Sequence, residues 1–389
     1  MKKRSILCGI VLWMFILTAC TGNAPASTPT VDPNAIATAV ATMLSGISTA
    51  TSLPEPTATL MPEPPTLLPR SLYYLAQDAN GMGQIYRLGR DGATITQITF
   101  EQEGVVNFEI SPADGTIAYI TQNSLITVNP RGENRQTLTQ DPNIGFQFAW
   151  SPDGKMIAYG MKQVTLYNIV TGTNEVLPSD NDVDYFPLSF SPDGRKLLVR
   201  KRVIPSAPEA RPILIYDFDS QTLTSLAGGK PNCFDGVSWN TRDEFFCYKH
   251  VFAGGSSLGL FRVNAVDGSV ESLVFSDSCS PCMPVAALHL NVDGNLYYLY
   301  AEVYGVNPTY PSLSLVRSKQ DGITDRIALR PETFNVFNAL WAPDGSSLLI
   351  VQNDGIKSIP TNLILVPIDP SLPIVTIMAD APYSLRWGP

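Results

Sequence analysis

The chain is short of the residues on which most catalysis and nucleic-acid binding depend. Its 389 residues include two histidines, His250 and His289. A Ser-His-Asp arrangement therefore has only those two to draw on. Charged residues make up 16% of the chain and the formal net charge is −9. No basic field is available, which argues against nucleic acid and against a generic anionic surface as partners. The apolar segment at residues 6–19 is about 14 long, too short for a comfortable membrane span. What the chain does have is 44% hydrophobic residues, ample for a large core.

Residues 1–20 read as a targeting segment rather than as part of the fold. Lys2, Lys3 and Arg4 precede the apolar run, which ends in Leu17-Thr18-Ala19-Cys20. That ending resembles the bacterial lipobox. The resemblance implies that Cys20 is the first mature residue and carries lipid. Two or more acyl chains give stable anchoring where one is marginal. The chain is then expected to sit in a bacterial cell envelope, lipid-anchored outside the cytoplasmic membrane. Residues 21–70 are a linker rich in Thr, Pro, Ala and Ser. Within it, residues 33–48 have an Asp32-Pro33 start and an apolar face suited to a short helix. A flexible linker of about 50 residues reaches roughly 40 Å.

From residue 71 the chain repeats. Ser151-Pro152-Asp153-Gly154 recurs 40 residues later as Ser191-Pro192-Asp193-Gly194. Ser111-Pro112-Ala113-Asp114-Gly115, Asn291-Val292-Asp293-Gly294 and Ala342-Pro343-Asp344-Gly345 are variants, and Asn240-Thr241-Arg242-Asp243 is a degraded copy. Proline presets one turn residue and glycine supplies a positive φ, so each copy reads as a β-hairpin turn. Before the turns stand Ile110, Trp150, Phe190, Trp239, Leu290 and Trp341. Two and four residues earlier are further columns, among them Phe108, Phe148 and Leu188, then Val106, Phe146, Phe186 and Phe337. This period of two predicts a first strand with one strongly buried face. Second, third and fourth strands follow each turn. Four antiparallel strands per unit make a β-propeller blade.

The ends complete the count. Residues 71–99 supply three strands without a first strand, and 383–389 match the first-strand column with Trp387 at the reference position. The expected fold is all-β, a seven-bladed β-propeller over residues 71–389. Its ring is closed by the C-terminal strand joining the N-terminal blade. Six blades is the alternative, should the unit around Asn240 not be complete. The repeats resemble those of the TolB-like and WD-repeat-like propeller families, which carry Ser-Pro-Asp-Gly between the first two strands. That resemblance implies the fold and is nearly silent on function, because the motif is a turn and not a site. Its members include envelope scaffolds, partner-binding modules and domains attached to peptidases.

Strand alternation sorts the loops onto two faces. The Ser-Pro-Asp-Gly turns share a short, regular face. The loops between second and third strands and the connections between blades share the other, and it carries nearly all the length variation. Long loops follow one another on blades four, five and six, at residues 200–211, 250–259 and 302–312. Variable loops on a rigid scaffold are where binding usually sits. Arg200, Arg202, Arg211, His250, Tyr304, Tyr310, Tyr185 and Asp184 are the candidate binding residues. The function expected is a non-enzymatic scaffold for a protein or small ligand. The alternative is a propeller lyase or hydrolase with a metal-assisted site at the channel mouth.

Other motifs carry less. Gly255-Ser256-Ser257-Leu258-Gly259 matches the serine-hydrolase elbow, which needs a strand-to-helix turn that a hairpin loop does not supply. His289 falls on a first strand, as a packed or channel-facing residue. Asp180, Asp182 and Asp184 have the oxygen ligands that Ca²⁺ prefers but lack an EF-hand pattern, so no metal and no cofactor is assigned. Cys233, Cys247, Cys279 and Cys282 cluster around blade five and are candidates for two disulfides, with three connectivities open.

Overall fold

The computed structural model describes residues 66–141, 143–180, 183–203, 212–226, 236–249, 258–276, 285–290, 293–301, 312–354 and 359–388. Among them are seven four-stranded antiparallel sheets and no helix. In six sheets the strands lie in chain order. In the seventh, Leu385–Trp387 pairs with Leu72–Gln77, matching Leu72 with Trp387 and Tyr74 with Leu385. The unit around Asn240 is complete, with Gly236–Thr241, Glu244–Lys249, Leu258–Asn264 and Val270–Ser276 side by side. The molecule is an all-β, seven-bladed propeller, and the six-bladed alternative is excluded.

The core proves the ring. Apolar clusters lie between sheets rather than within them, one at each junction of neighbouring blades. The cluster holding Leu72, Leu88, Leu349, Val351 and Leu363 joins blade seven to blade one. With a neighbour on each side, a blade buries both faces of its middle strands. Tyr119 packs toward blade one while Ala118 and Ile120 pack toward blade three. Middle strands such as Ile117–Ile120 and Leu296–Tyr300 are therefore buried at every position. Packing also starts earlier than residue 71. The amides of Leu67 and Leu68 both donate to Arg90 O, and Leu68 is buried.

The repeated tetrapeptide is a closed hydrogen-bonded turn. Ser151 Oγ donates to Asp153 Oδ1 at 2.7 Å and accepts from the Met156 amide at 2.9 Å. The Gly154 amide closes the turn on Ser151 O, and Gly154 has a φ of 69°. Ser191 repeats both bonds with Asp193 and Lys196. The hydroxyl and carboxylate are consumed by the turn itself, which is why the motif marks the fold and not a site.

Candidate functional site

First strands of neighbouring blades adjoin around the ring, so their starts gather at one mouth of the central channel, on the face of the variable loops. At this level stand Phe337 of blade seven, Tyr383 just ahead of the closing strand, Val106 of blade two, Phe146 of blade three and Phe186 of blade four. They were expected to be buried. Instead Val106 is 51% exposed, Phe146 48% and Tyr383 66%, while Phe186 is buried. The exposed members Val106, Phe146 and Tyr383 each precede the start of their strand, whereas the buried Phe186 lies within Val183–Phe190.

Two asparagines hold this arc. Asn107 Nδ2 donates to Phe146 O at 2.8 Å, and Asn338 Nδ2 donates to Tyr383 O at 3.4 Å. In each case the asparagine follows the mouth residue of its own blade and grips the backbone of the mouth residue on the next. Ring contacts continue the arc: the centroids of Phe337 and Tyr383, on blades seven and one, lie 5.5 Å apart, and those of Phe146 and Phe186, on blades three and four, 6.0 Å apart. Beside Tyr383 a cavity of about 660 Å³ opens between blades seven and one, lined in part by Tyr74, Ala76, Pro360, Met378 and Pro382. Exposed aromatic and apolar groups at a rigid mouth, next to a cavity of this size, are the composition of a recognition surface.

The structure brings four of the sequence-derived candidates together near blade four. Asp184, Tyr185 and Phe186 lie opposite Arg202, Lys201 and Arg200 in the register of blade four's first two strands. Arg202 Nε donates to the buried carboxylate of Asp184 at 2.9 Å, and its guanidinium lies 5.1 Å from the Phe186 ring centroid. Lys201 Nζ and the Tyr185 hydroxyl both donate to Asp180 Oδ2, at 2.9 and 2.8 Å. Lys201 first, then the tyrosine, holds Asp180 below the usual carboxylate value. Burial, and then the bond to Asp180, pushes Tyr185 up. These groups satisfy one another. The basic run is not an open cationic patch, and Asp180 and Asp184 are already paired with cations rather than set out for Ca²⁺.

Arg211, His250, Tyr304, Tyr310, Cys20, Cys233, Cys279 and Cys282 lie outside the described residues, as do the helix expected at 33–48 and most of the three long loops. Cys247 is buried and disulfide-bonded. Leu258 and Gly259 open the strand Leu258–Asn264, not a helix, so the serine-hydrolase motif lacks its required setting. His289 pairs with Tyr297 in blade six. Among the described residues no three His, Cys, Asp or Glu side chains gather as a metal requires. Sequence reasoning missed the mouth arc, although its signal was there: large apolar residues in the outermost column of the first strand, followed by asparagine in Val106-Asn107 and Phe337-Asn338.

No family model and no curated protein matches the chain. Solved structures do. The chain is similar to TolB from Acinetobacter baumannii at 18% identity and a TM-score of 0.45, over 82% of this chain and 67% of that one. It is similar to oligogalacturonate lyase from Vibrio parahaemolyticus at 11% identity and a TM-score of 0.54, over 79% and 84%. Prolyl oligopeptidase B from Galerina marginata matches at 11% identity and a TM-score of 0.54, over 84% of this chain, which spans about half (51%) of that enzyme. At such identities the likeness speaks for architecture and not for chemistry: the chain is a seven-bladed β-propeller, built like proteins of quite different activity.

Proposed function

We propose that the chain is a non-enzymatic binding propeller, tethered by lipid at Cys20 to a bacterial envelope membrane, that takes a protein partner on its variable-loop face. The observation that carries this reading is the exposed arc of Val106, Phe146 and Tyr383 at the channel mouth. Exposed aromatic residues on a rigid frame supply contact area at little entropic cost, which is why such groups anchor interfaces. The reading extends the expected surface from the loops of blades four to six onto the inner strands of blades seven, one, two and three. In this reading the cysteines around blade five act as disulfide staples. The acidic net charge and the 21–70 linker suit a domain held clear of the membrane.

The test is chemical cross-linking in envelopes followed by recovery of the tagged chain. Phe146→Ala and Tyr383→Ala, singly and together, are expected to reduce partner recovery about tenfold or more. Thermal stability should fall only slightly, since each side chain is about half exposed or more and gives up one ring contact. Shortening the loops at 203–210 and 304–311 should reduce recovery as well. Recovery unaffected by all of these changes removes the reading. Loss of lipid labelling in Cys20→Ser tests the anchor separately.

A further inference from the structure

A second cleft, of about 550 Å³, lies between blades one and two. Its origin is the shortness of the outer strand of blade one, Ile95–Gln97. After that strand the chain is drawn inward. Thr99 Oγ1 donates to Gln84 Oε1 at 2.9 Å and accepts from the Ile85 amide, and the Glu101 amide also donates to Gln84 Oε1. The connection is thus tied to the third strand of blade one, Gly83–Leu88, and leaves part of the neighbouring sheet face uncovered. One end of the cleft is shut where the Gly132 turn meets blade one. Gly132 has a φ of 84°, and a Cβ there would stand 2.3 Å from Ile98 O.

An ion pair spans the cleft. Arg135 donates Nε to Glu101 Oε1 at 2.7 Å and Nη2 to Glu101 Oε2 at 3.1 Å, while the buried Tyr119 hydroxyl donates to the same Oε1 at 2.6 Å. Arg135 is the one cation among the lining residues, and Glu101 engages it on two nitrogens. With Glu103 beside it the lining is net negative, so a phosphate or carboxylate ligand has no unengaged cation to meet. Most other polar groups of the lining are hydroxyls and carboxamides, among them Thr121, Ser124 and Gln140. Phe100 stands at the rim with 76% of its surface exposed. The cleft is walled by a sheet face and not by an edge, so it offers no backbone ladder to an added peptide strand.

We propose that this cleft is a binding site for a neutral oligosaccharide, with one sugar ring stacked on Phe100 and its hydroxyls bonded to Gln140, Ser124 and the Glu101–Arg135 pair. A sugar hydroxyl donates and accepts at once, which matches a lining of carboxylate, guanidinium, amide and hydroxyl groups. The apolar face of a sugar ring suits an exposed aromatic side chain. The volume falls in the range of about 300–1,000 Å³ usual for small-molecule sites and accommodates a di- or trisaccharide. None of the residues lining this cleft belongs to the mouth arc.

The test is calorimetric titration of the purified full-length chain with neutral di- and trisaccharides of glucose, mannose, galactose and N-acetylglucosamine. Uronic-acid counterparts serve as the charged comparison. At least one neutral sugar is expected to bind. Phe100→Ala should weaken it by about tenfold, Gln140→Ala by about threefold, and the acidic counterpart should bind about tenfold more weakly. Phe100 is exposed, so the melting temperature of Phe100→Ala should match that of the parent. The proposal is overturned by no binding across the panel, by equal binding in Phe100→Ala, or by acidic sugars binding as well as neutral ones. Loss of sugar binding with partner recovery intact separates this site from the mouth.

Discussion

Arg386, in the last strand of the chain, closes on Glu109 of blade two. Its Nε donates to Glu109 Oε2 at 2.6 Å, a second guanidinium nitrogen bonds Oε1, and the guanidinium lies 5.9 Å from the Phe108 ring centroid. The closing strand is thus fastened on both sides: by its ladder to Leu72–Gln77 and by this forked ion pair to the next blade. Both side chains are about one-quarter to one-third exposed, so screening reduces the pair's worth. Arg386→Ala is expected to cost about 1–2 kcal/mol, and a double-mutant cycle with Glu109→Gln should return a coupling of about 1 kcal/mol. Urea denaturation reads it, and additive single effects would show that the pair contributes nothing.

Deleting residues 383–389 should do far more. It removes the buried Leu385, the bond from Trp387 Nε1 to Trp341 O at 2.6 Å, and the ladder that covers the edge of Leu72–Gln77. The expected loss exceeds about 4 kcal/mol, with self-association through the bared edge. Light scattering and thermal melts measure both. A monomeric truncation with the parent's melting temperature would mean that closure does not hold the ring.

Arg330 is buried at the junction of blades six and seven and satisfies three backbone carbonyls at once. Its Nη1 donates to Pro367 O and Asp369 O at 3.0 Å and to Leu372 O at 3.1 Å, with Nη2 also on Leu372 O. Lysine cannot reproduce that planar fork. Arg330→Lys should therefore destabilise by about 2 kcal/mol or more, close to the effect of Arg330→Met, because carbonyls are left unpaired in both. If lysine proves equivalent to arginine by chemical denaturation, the fork is not what matters.

Ser151→Ala removes a hydroxyl that is both donor and acceptor in its turn. It leaves Asp153 Oδ1 and the Met156 amide each short of a bond. A cost of about 1–2 kcal/mol is expected, with Ser191→Ala similar. The copy Ala342-Pro343-Asp344-Gly345 manages without the serine, since Asp344 Oδ1 instead accepts from Ser346 Oγ at 2.7 Å. Among the described residues Ser346 Oγ makes only this one, exposed bond, so Ser346→Ala should cost less than Ser151→Ala, as measured by equilibrium unfolding.

The turns also set an acid limit. The Ser151 hydroxyl holds Asp153 below its ordinary 3.8, and backbone amides do the same for Asp217 and Asp344. Asp91 is drawn down to about 2, first by the Thr94 hydroxyl. Near pH 3 the unfolded chain binds more protons at these carboxylates than the folded one, so acid favours unfolding. The stabilisation is fully present above the unfolded value and is lost as pH falls through the lowered folded values. Urea midpoints should be flat from pH 7 to about pH 5 and then drop steadily toward pH 2. A midpoint that does not change below pH 4 would contradict this assignment.

The repeat was legible because a hairpin turn is a local event. Ser151, Pro152, Asp153 and Gly154 make their bonds among near neighbours, so their order in the chain suffices. The expected seven blades and the closing strand followed from the same columns, with Trp387 at the reference position; its register opposite Leu72 is what the structure added. What a column cannot reveal is where a sheet stops being covered. Val106 and Phe146 share the apolar pattern of Phe108 and Phe148, yet the outer pair is half in water and the inner pair is buried. Similarly, Arg200-Lys201-Arg202 reads as a basic run, and only the antiparallel register sets Arg202 against Asp184. Sequence by itself determined the repeated blades and the closing strand, because these rest on short-range turns and alternation. The completeness of the unit around Asn240, and with it the count of seven, came from the strand pairing. The tertiary structure alone decided which side chains the ring exposes at its mouth and which charges it cancels, because both depend on the meeting of strands far apart in the chain.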